Sequence, residues 1–292
     1  MNKIGSSETI RKTTFNFTNV PQRIVSHKSF IKNSFLEWFI GFSEGDGSFI
    51  VSNKRLFFII NQKEEKILHY IRANLGFGKV SKYLSYSRYI VADRNCVDKL
   101  ISIFNGNLVL YKTNARFALW LIARNQYSQE KLCYRGVNQF VGFHNNGWLS
   151  GFTDAEGGFY VSLCEDKKRK CTKLSFKYSI KQKGERDVLE KILILIRNLK
   201  DIEDNTTTFK TLKKGIYNVK GKKDTYALEV TKKTDLLFLT NYFDNYLLLS
   251  RNKRLVYVRW KRVLLRVRPY QKDTKAYKRY KRLVASVGKV RL

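Results

Sequence analysis

The sequence predicts an α+β protein built from two pseudo-symmetric halves, each running α-β-β-α-β-β-α around an antiparallel sheet. Three observations carry this. A twelve-residue segment occurs twice, WFIGFSEGDGSF at 38–49 and WLSGFTDAEGGF at 148–159, with Trp38, Gly41, Phe42, Gly47 and Phe49 matched by Trp148, Gly151, Phe152, Gly157 and Phe159. Both copies are followed by the same succession of strand-like and helix-like segments, the mark of an internal repeat. No βαβ crossover pattern appears, so hairpins and antiparallel pairing are expected, with helices on one sheet face.

Each half opens on a helix. Phe35–Phe42 is apolar on nearly every side, as befits a helix buried all round. Gly41 and Gly45 share a helix face, as do Gly151 and Ala155. Small residues at that spacing let two backbones approach closely. The two opening helices are therefore expected to pack on each other between the halves, the alternative being that each packs in its own core. Gly47 and Gly157 fit a left-handed helix C-cap, which places Asp46 and Glu156 at helix C-termini.

Strands come next. SFIVSN and LFFIIN lead to Gln62, and GFYVSL and KLSFKYSI lead to Gln182. Helices are expected over 64–75 and 185–199. Later strand pairs are expected at 79–85 with 87–93 and at 206–219 with 224–231. A short helix and a last helix follow, the last carrying Trp120 or Trp260. From acid to Gln is 16 residues in the first half and 26 in the second, and from Gln to Trp 58 and then 78. The growth falls around Asp166–Lys170 and Asp201–Asp224, where surface loops tolerate insertion. The expected organisation is an N-terminal extension at 1–30, a first half at 31–125, a linker at 126–145, a second half at 146–266 and a basic tail at 267–292.

Charge narrows the function. The chain has 292 residues and a net charge of +33, and a globular chain with such an excess points to nucleic acid. An apolar content of 43% supports a real core. No stretch of about 18 uncharged apolar residues suggests a membrane span, and no secretory signal is visible in residues 1–30. Cys96, Cys133, Cys164 and Cys171 contain no CxxC pair and read as ordinary thiols. His27, His69 and His144 are scattered, which argues against zinc.

The two acids carry the chemistry. A carboxylate at a helix C-terminus faces the negative end of the dipole. If the helices pair, two such carboxylates lie close together and need a cation or a shared proton. Mg²⁺ suits a few carboxylates completed by water and phosphate oxygens.

At these residues the chain resembles the LAGLIDADG homing endonucleases. Phe39–Gly47 is one copy of the name motif and Leu149–Gly157 the other, and the resemblance covers roughly residues 30–265. It implies two sheets forming a DNA-binding saddle with the motif helices at the centre. It implies divalent metal, Mg²⁺ with Mn²⁺ as substitute, on Asp46 and Glu156, the latter a departure because Asp is commoner there. Gln62 and Gln182 correspond to cleft residues that polarise water. A basic residue near the start of each last helix corresponds to Lys112 and to Lys253 or Arg251. Anchoring on the tryptophans would pair Lys253 with Thr113, so Lys112 requires a one-residue shift. The implied reaction is metal-dependent hydrolysis of double-stranded DNA by a monomer, encoded in a mitochondrion or chloroplast.

A two-stranded ribbon can enter the major groove. Lys173, Ser175, Lys177 and Ser179 alternate with apolar residues and should face DNA, with Ser162 on the neighbouring strand. Ser52 and Lys54, and Lys79, Ser81 and Tyr83, should do the same in the first half. The stretch 251–292 holds sixteen Lys or Arg and one acid, Asp273. It could grip DNA flanks by phosphate contacts or bind host intron RNA. An RNA-binding splicing maturase is therefore the second reading, and a cleavage-dead DNA-binding regulator the third.

Overall fold

A computed structural model of the chain describes residues 15–20, 31–138, 145–166, 171–197, 215–266 and 275–288. The first half runs α1 (Asn33–Asp46), β1 (Gly47–Ser52), β2 (Arg55–Gln62), α2 (Glu65–Leu75), β3 (Lys79–Lys82), β4 (Ser87–Val91), α3 (Arg94–Phe104) and α4 (Tyr111–Gln126). The second repeats it as α5 (Trp148–Glu156), β5 (Gly157–Asp166), β6 (Cys171–Lys183), α6 (Arg186–Ile196), β7 (Ile216–Asn218), β8 (Thr225–Val230), α7 (Lys233–Asn245) and α8 (Arg251–Leu265), and α9 (Lys275–Gly288) follows. The sheets are antiparallel, with matching orders β1-β2-β4-β3 and β5-β6-β8-β7. The predicted α+β duplication is thus the observed architecture. The later strands are shorter than expected, and residues 206–214 and 198–199, expected as strand and helix, lie outside the described residues.

One face of each sheet is packed on helices. Phe49, Phe58, Ile60, Tyr89 and Val91 point that way and are buried, as are Phe159, Phe176, Tyr178 and Ile180 in the second half. The aromatic centres correspond: Phe49 lies 5.2 Å from Trp120, and Phe159 lies 5.2 Å from Trp260. Burying rings of this size contributes most of the apolar driving force, and the tilted and edge-on arrangements suit their quadrupoles.

The motif helices α1 and α5 pack against each other between the halves. A Cβ on Gly41 would stand 2.1 Å from the Trp148 carbonyl oxygen, and one on Gly151 would stand 1.9 Å from that of Trp38. Any side chain at either position would collide with the opposing backbone. The expected left-handed cap is not observed. Gly47 has φ −81° and Gly157 φ −80°, both extended, because each already starts a strand. Glycine is needed there for space: a Cβ on Gly47 would lie 2.5 Å from the Ser43 carbonyl oxygen, and one on Gly157 would lie 2.6 Å from Thr153 Cγ2.

The described parts of the flanking segments, residues 15–20 and 275–288, are built into the body. Phe15 and Val20 are buried, and Asn16 exchanges hydrogen bonds with Asn107 through Asn16 N to Oδ1 at 2.9 Å and Nδ2 to Asn16 O at 2.9 Å. Helix α9, within the basic tail, buries Val287 and packs Leu283 and Val284 on the core, while Arg259 donates to the Ser286 carbonyl at 2.7 Å. Among the described residues, no helix is long and apolar enough to cross a membrane.

Candidate active site

Asp46 and Glu156 are the last residues of α1 and α5. The seam between these helices brings them together: a Cβ on Gly45 would meet Ala155 Cβ at 2.4 Å and Glu156 Cγ at 3.0 Å. Burial, and secondly the charge of Glu156, push the Asp46 carboxyl up to about 7, against the pull of Lys253 and Gln62. Burial raises Glu156 as well, opposed by Gln182, Lys253 and Lys112. Glu156 is the more exposed of the two. Repulsion between like charges in a half-dry cleft is what a cation relieves.

Both glutamines reach these acids. Gln62, at the end of β2, donates through Nε2 to Asp46 Oδ2, and Gln182 stands beside Glu156, favouring its charged form. Lys253 donates through Nζ to the Gly157 carbonyl oxygen. Burial lowers its pKa, while Asp154, Asp46 and Glu156 hold it charged. Lys112 is exposed and acts on Glu156 through charge. The two lysines are not strict equivalents. Lys253 is the third residue of α8, and the third residue of α4 is Thr113, buried against the Glu44 carbonyl oxygen at 3.4 Å. The tryptophan-anchored alignment is therefore the structural one. Arg251 is exposed at the first position of α8.

No group of three or more His, Cys, Asp or Glu gathers among the described residues, so they contain no closed metal cage. Two carboxylates with glutamine amides, open to solvent on one side, fit a hard divalent cation completed by water and phosphate oxygens.

The earlier acid of each motif does something the sequence reading did not foresee. Glu44 accepts from Val109 N at 2.7 Å and Leu110 N at 2.6 Å, and from Trp148 Nε1 at 2.5 Å. Asp154 accepts from Leu249 N at 2.7 Å, Ser250 N at 3.3 Å and Trp38 Nε1 at 2.9 Å. Each acid thus holds its own half's last helix and the other half's tryptophan. Their coincidence in type within the repeat was the available signal, but the partners are distant in sequence. Burial pushes Glu44 up to about 8 and Asp154 to about 7, opposed by these donors.

The residues expected on the outer sheet faces fall on one register. Ser52 pairs with Arg55, Lys79 with Ile90, Ser81 with Arg88, Ser162 with Ser175, and Lys173 with Cys164. These positions alternate with the buried set. The side chain of Lys173 lies outside the described residues. Lys54 sits in the β1–β2 turn with φ 61°, and Tyr83 is exposed, stacked on Tyr86 at 4.9 Å. Lys177 is held by Glu229 at 2.8 Å and lies 5.5 Å from the Tyr160 ring centre. Ser179 departs from the expectation of an accessible contact: it is only 5% exposed, between Gly158 and Glu229, where Tyr160 folds back over Gly158. Alternation fixes the face of a strand residue and says nothing of its depth. The same face carries residues not singled out before, notably Asn61 and Arg88, joined at 2.9 Å, and the exposed Tyr160, Lys181 and Tyr217. Alternation within β4 was the signal for Arg88.

Comparison with known proteins agrees with this fold. The LAGLIDADG endonuclease family matches residues 39–123 and 149–264. The chain belongs to that family. "Probable intron-encoded endonuclease 4" of Neurospora crassa is 38% identical over 201 residues, covering 65% of this chain and 37% of that protein. The chain therefore spans little more than a third of that relative. The "Uncharacterized cox1 intron-2 37.2 kDa protein" of Schizosaccharomyces pombe is 26% identical over 267 residues, covering 89% of this chain and 75% of the other. Among solved structures, the meganuclease I-CpaMI bound to uncleaved DNA superposes with a TM-score of 0.60 at 18% identity, covering 86% of this chain and 95% of that one. The homing endonuclease I-GzeII in complex with its DNA target gives 0.61 at 17%, covering 87% and 99%. At that identity the likeness speaks for the fold.

Proposed function

We propose that the protein is a monomeric, site-specific endonuclease that hydrolyses double-stranded DNA with divalent metal at Asp46 and Glu156. The observation that carries this is the pairing of two carboxylates at adjoining helix ends, with Gln62 bonded to Asp46 and Gln182 beside Glu156. Bound Mg²⁺, or Mn²⁺ in its place, would supply charge neutralisation at the scissile phosphates and a more acidic water. A structural relative described as bound to uncleaved DNA in the presence of calcium ions is consistent with such a site. Gln62 and Gln182 orient the carboxylates and offer amides to solvent in the cleft. Lys253 adds positive charge where the leaving oxygen develops negative charge. The outer sheet faces, with Ser52, Lys54, Lys79, Ser81, Tyr83, Ser162, Ser175 and Lys177, meet the major groove, and the excess of cations steers the duplex onto them. Both halves sit in one chain, so one chain suffices for one site. The cox1-intron names of two relatives support a mitochondrial intron as the source.

A second reading, binding of intron RNA, has one observation behind it. Lys275, Lys278, Arg279, Lys281 and Arg282 are exposed on α9, a surface built on α8 and β5 rather than on the acids.

The test compares Asp46→Asn and Glu156→Gln with the parent on one target duplex. Either change should reduce double-strand cleavage by about a hundredfold or more, since several kcal/mol of charge stabilisation go with the metal. Binding in Ca²⁺ should persist. Cutting at the parent rate by the doubly substituted protein would remove the assignment.

A further inference from the structure

Glu64 and Glu185 stand at the cap positions before α2 and α6, yet neither side chain bonds its own helix. Each reaches into the other half. Glu64 Oε1 accepts from Arg251 N at 2.8 Å, and its Oε2 accepts from Ser250 Oγ at 2.9 Å and Asn252 N at 3.3 Å. Glu185 Oε1 accepts from Lys112 N at 2.7 Å and its Oε2 from Tyr111 N at 3.2 Å. The recipients are the first turns of α8 and α4. Those turns begin with unpaired N–H groups and the positive end of a helix dipole, so a carboxylate there is doubly favourable. Helix α4 has Leu110 at its own N-cap and no capping side chain, so Glu185 supplies from outside what that position lacks.

The two capped turns carry Lys253 and Lys112. Lys253 leaves α8 one residue beyond Asn252 and extends to the Gly157 carbonyl, within the field of Asp46 and Glu156. Glu64 itself follows Gln62 by two residues, and Gln62 holds Asp46. The end of β2 therefore holds an acid of its own half with one residue and the opposing lysine helix with another. Glu185 lies three residues beyond Gln182 and repeats the arrangement in reverse.

We propose that Glu64 and Glu185 are positioning residues that set Lys253 and Lys112 crosswise, each half orienting the lysine that the other half contributes. The proposal rests on the nuclease reading above. It assigns no contact with DNA or metal to either glutamate. Their effect runs through the direction in which the first turn sends its lysine, and groups that orient a reactive shell commonly change activity by about 10–100-fold.

The experiment measures single-turnover cleavage of each strand on end-labelled duplex, with affinity measured separately in Ca²⁺. Glu64→Ala should slow cleavage about tenfold or more while affinity stays within about twofold, because no DNA-facing residue has changed. Glu64→Gln, which keeps an acceptor for the first turn, should recover most of the rate. In a Lys253→Met background, Glu64→Ala should add little, since the group it acts through is gone. Should Glu64→Ala fail to fold, Glu64→Asp, one methylene shorter, carries the same comparison. Parent-rate cutting by the folded Glu64→Ala protein would overturn the positioning role, and so would losses that multiply in the double variant. A parent protein that binds duplex DNA but cuts neither strand would instead remove the nuclease reading and this inference together.

Discussion

The tight seam between α1 and α5 lends itself to a one-atom perturbation. Gly41→Ala places a methyl carbon 2.1 Å from the Trp148 carbonyl oxygen, with Phe152 N at 2.9 Å. Carbon–oxygen contacts settle near 3.3–3.6 Å, so the helices must separate by roughly an ångström. The obstacle is backbone and cannot rotate away. Overpacking of this kind costs about 1–3 kcal/mol, and a backbone obstacle puts the cost at the upper end. The gain from replacing a mid-helix glycine offsets about 0.5–1 kcal/mol. A net loss of about 2 kcal/mol follows, which lowers Tm by roughly 3 °C for a chain of this size. The same displacement moves Asp46 relative to Glu156. Misplacement of about 1 Å near reacting groups can cost about a hundredfold, so cleavage should fall far more than the folded fraction. Thermal melting, paired with single-turnover cleavage at a temperature where the variant is folded, measures both. Gly151→Ala, whose new carbon would meet the Trp38 carbonyl oxygen at 1.9 Å, should behave alike. A Tm within about 1 °C of the parent together with parental cleavage would refute the close-packed seam.

Two further expectations concern the buried acids. Asp46 is pushed up to about 7, chiefly by burial and then by Glu156, so at limiting Mg²⁺ cleavage should climb as pH rises through 7. Because that folded pKa exceeds the unfolded value of about 3.9, Asp46 stabilises the metal-free protein fully below pH ~4, and this contribution is lost as pH rises through 7. The Tm difference between parent and Asp46→Asn in chelator, followed from pH 5 to 8, reads this directly; a difference that does not change with pH would contradict it. Glu44→Gln turns an NH₂ toward one of three donors, from Val109, Leu110 and Trp148. A buried donor left facing a donor costs about 1–3 kcal/mol, seen as a lowered denaturation midpoint. The comparison belongs above pH 8, where Glu44 is ionised, and an unchanged midpoint there would refute the loss of an acceptor.

Some of this was open to reading along the chain, and the divide has a physical basis. Asp46, Glu156, Gln62 and Gln182 were recognisable because a duplication displays each twice, in the same place relative to a glycine and a strand. The seam was readable from Gly41, Gly45, Gly151 and Ala155, since small residues four apart mark one helix face. Contacts made across the halves left no local mark. Trp38 finds Asp154, 116 residues away, and Glu64 finds Arg251, 187 residues away. Gly47 and Gly157 were misread for a related reason: a glycine after a helix looks the same whether it turns left-handed or only lacks room for a Cβ. In α9 the cations dominated the composition, while Leu283, Val284 and Val287, one short apolar stripe, decide where the helix lies.

The two sheets differ in length as well as in sequence. Strand β5 has 10 residues where β1 has 6, and β6 has 13 where β2 has 8. At about 3.3 Å per residue, β5 alone extends some 13 Å beyond its counterpart. Along B-form DNA, which rises about 3.4 Å per base pair, that reach corresponds to roughly four more steps. A duplex lying across both outer faces would be covered unequally on the two sides of the paired acids. The half-sites read by such a protein would differ in extent, and the scissile positions would lie off the midpoint of the protected segment.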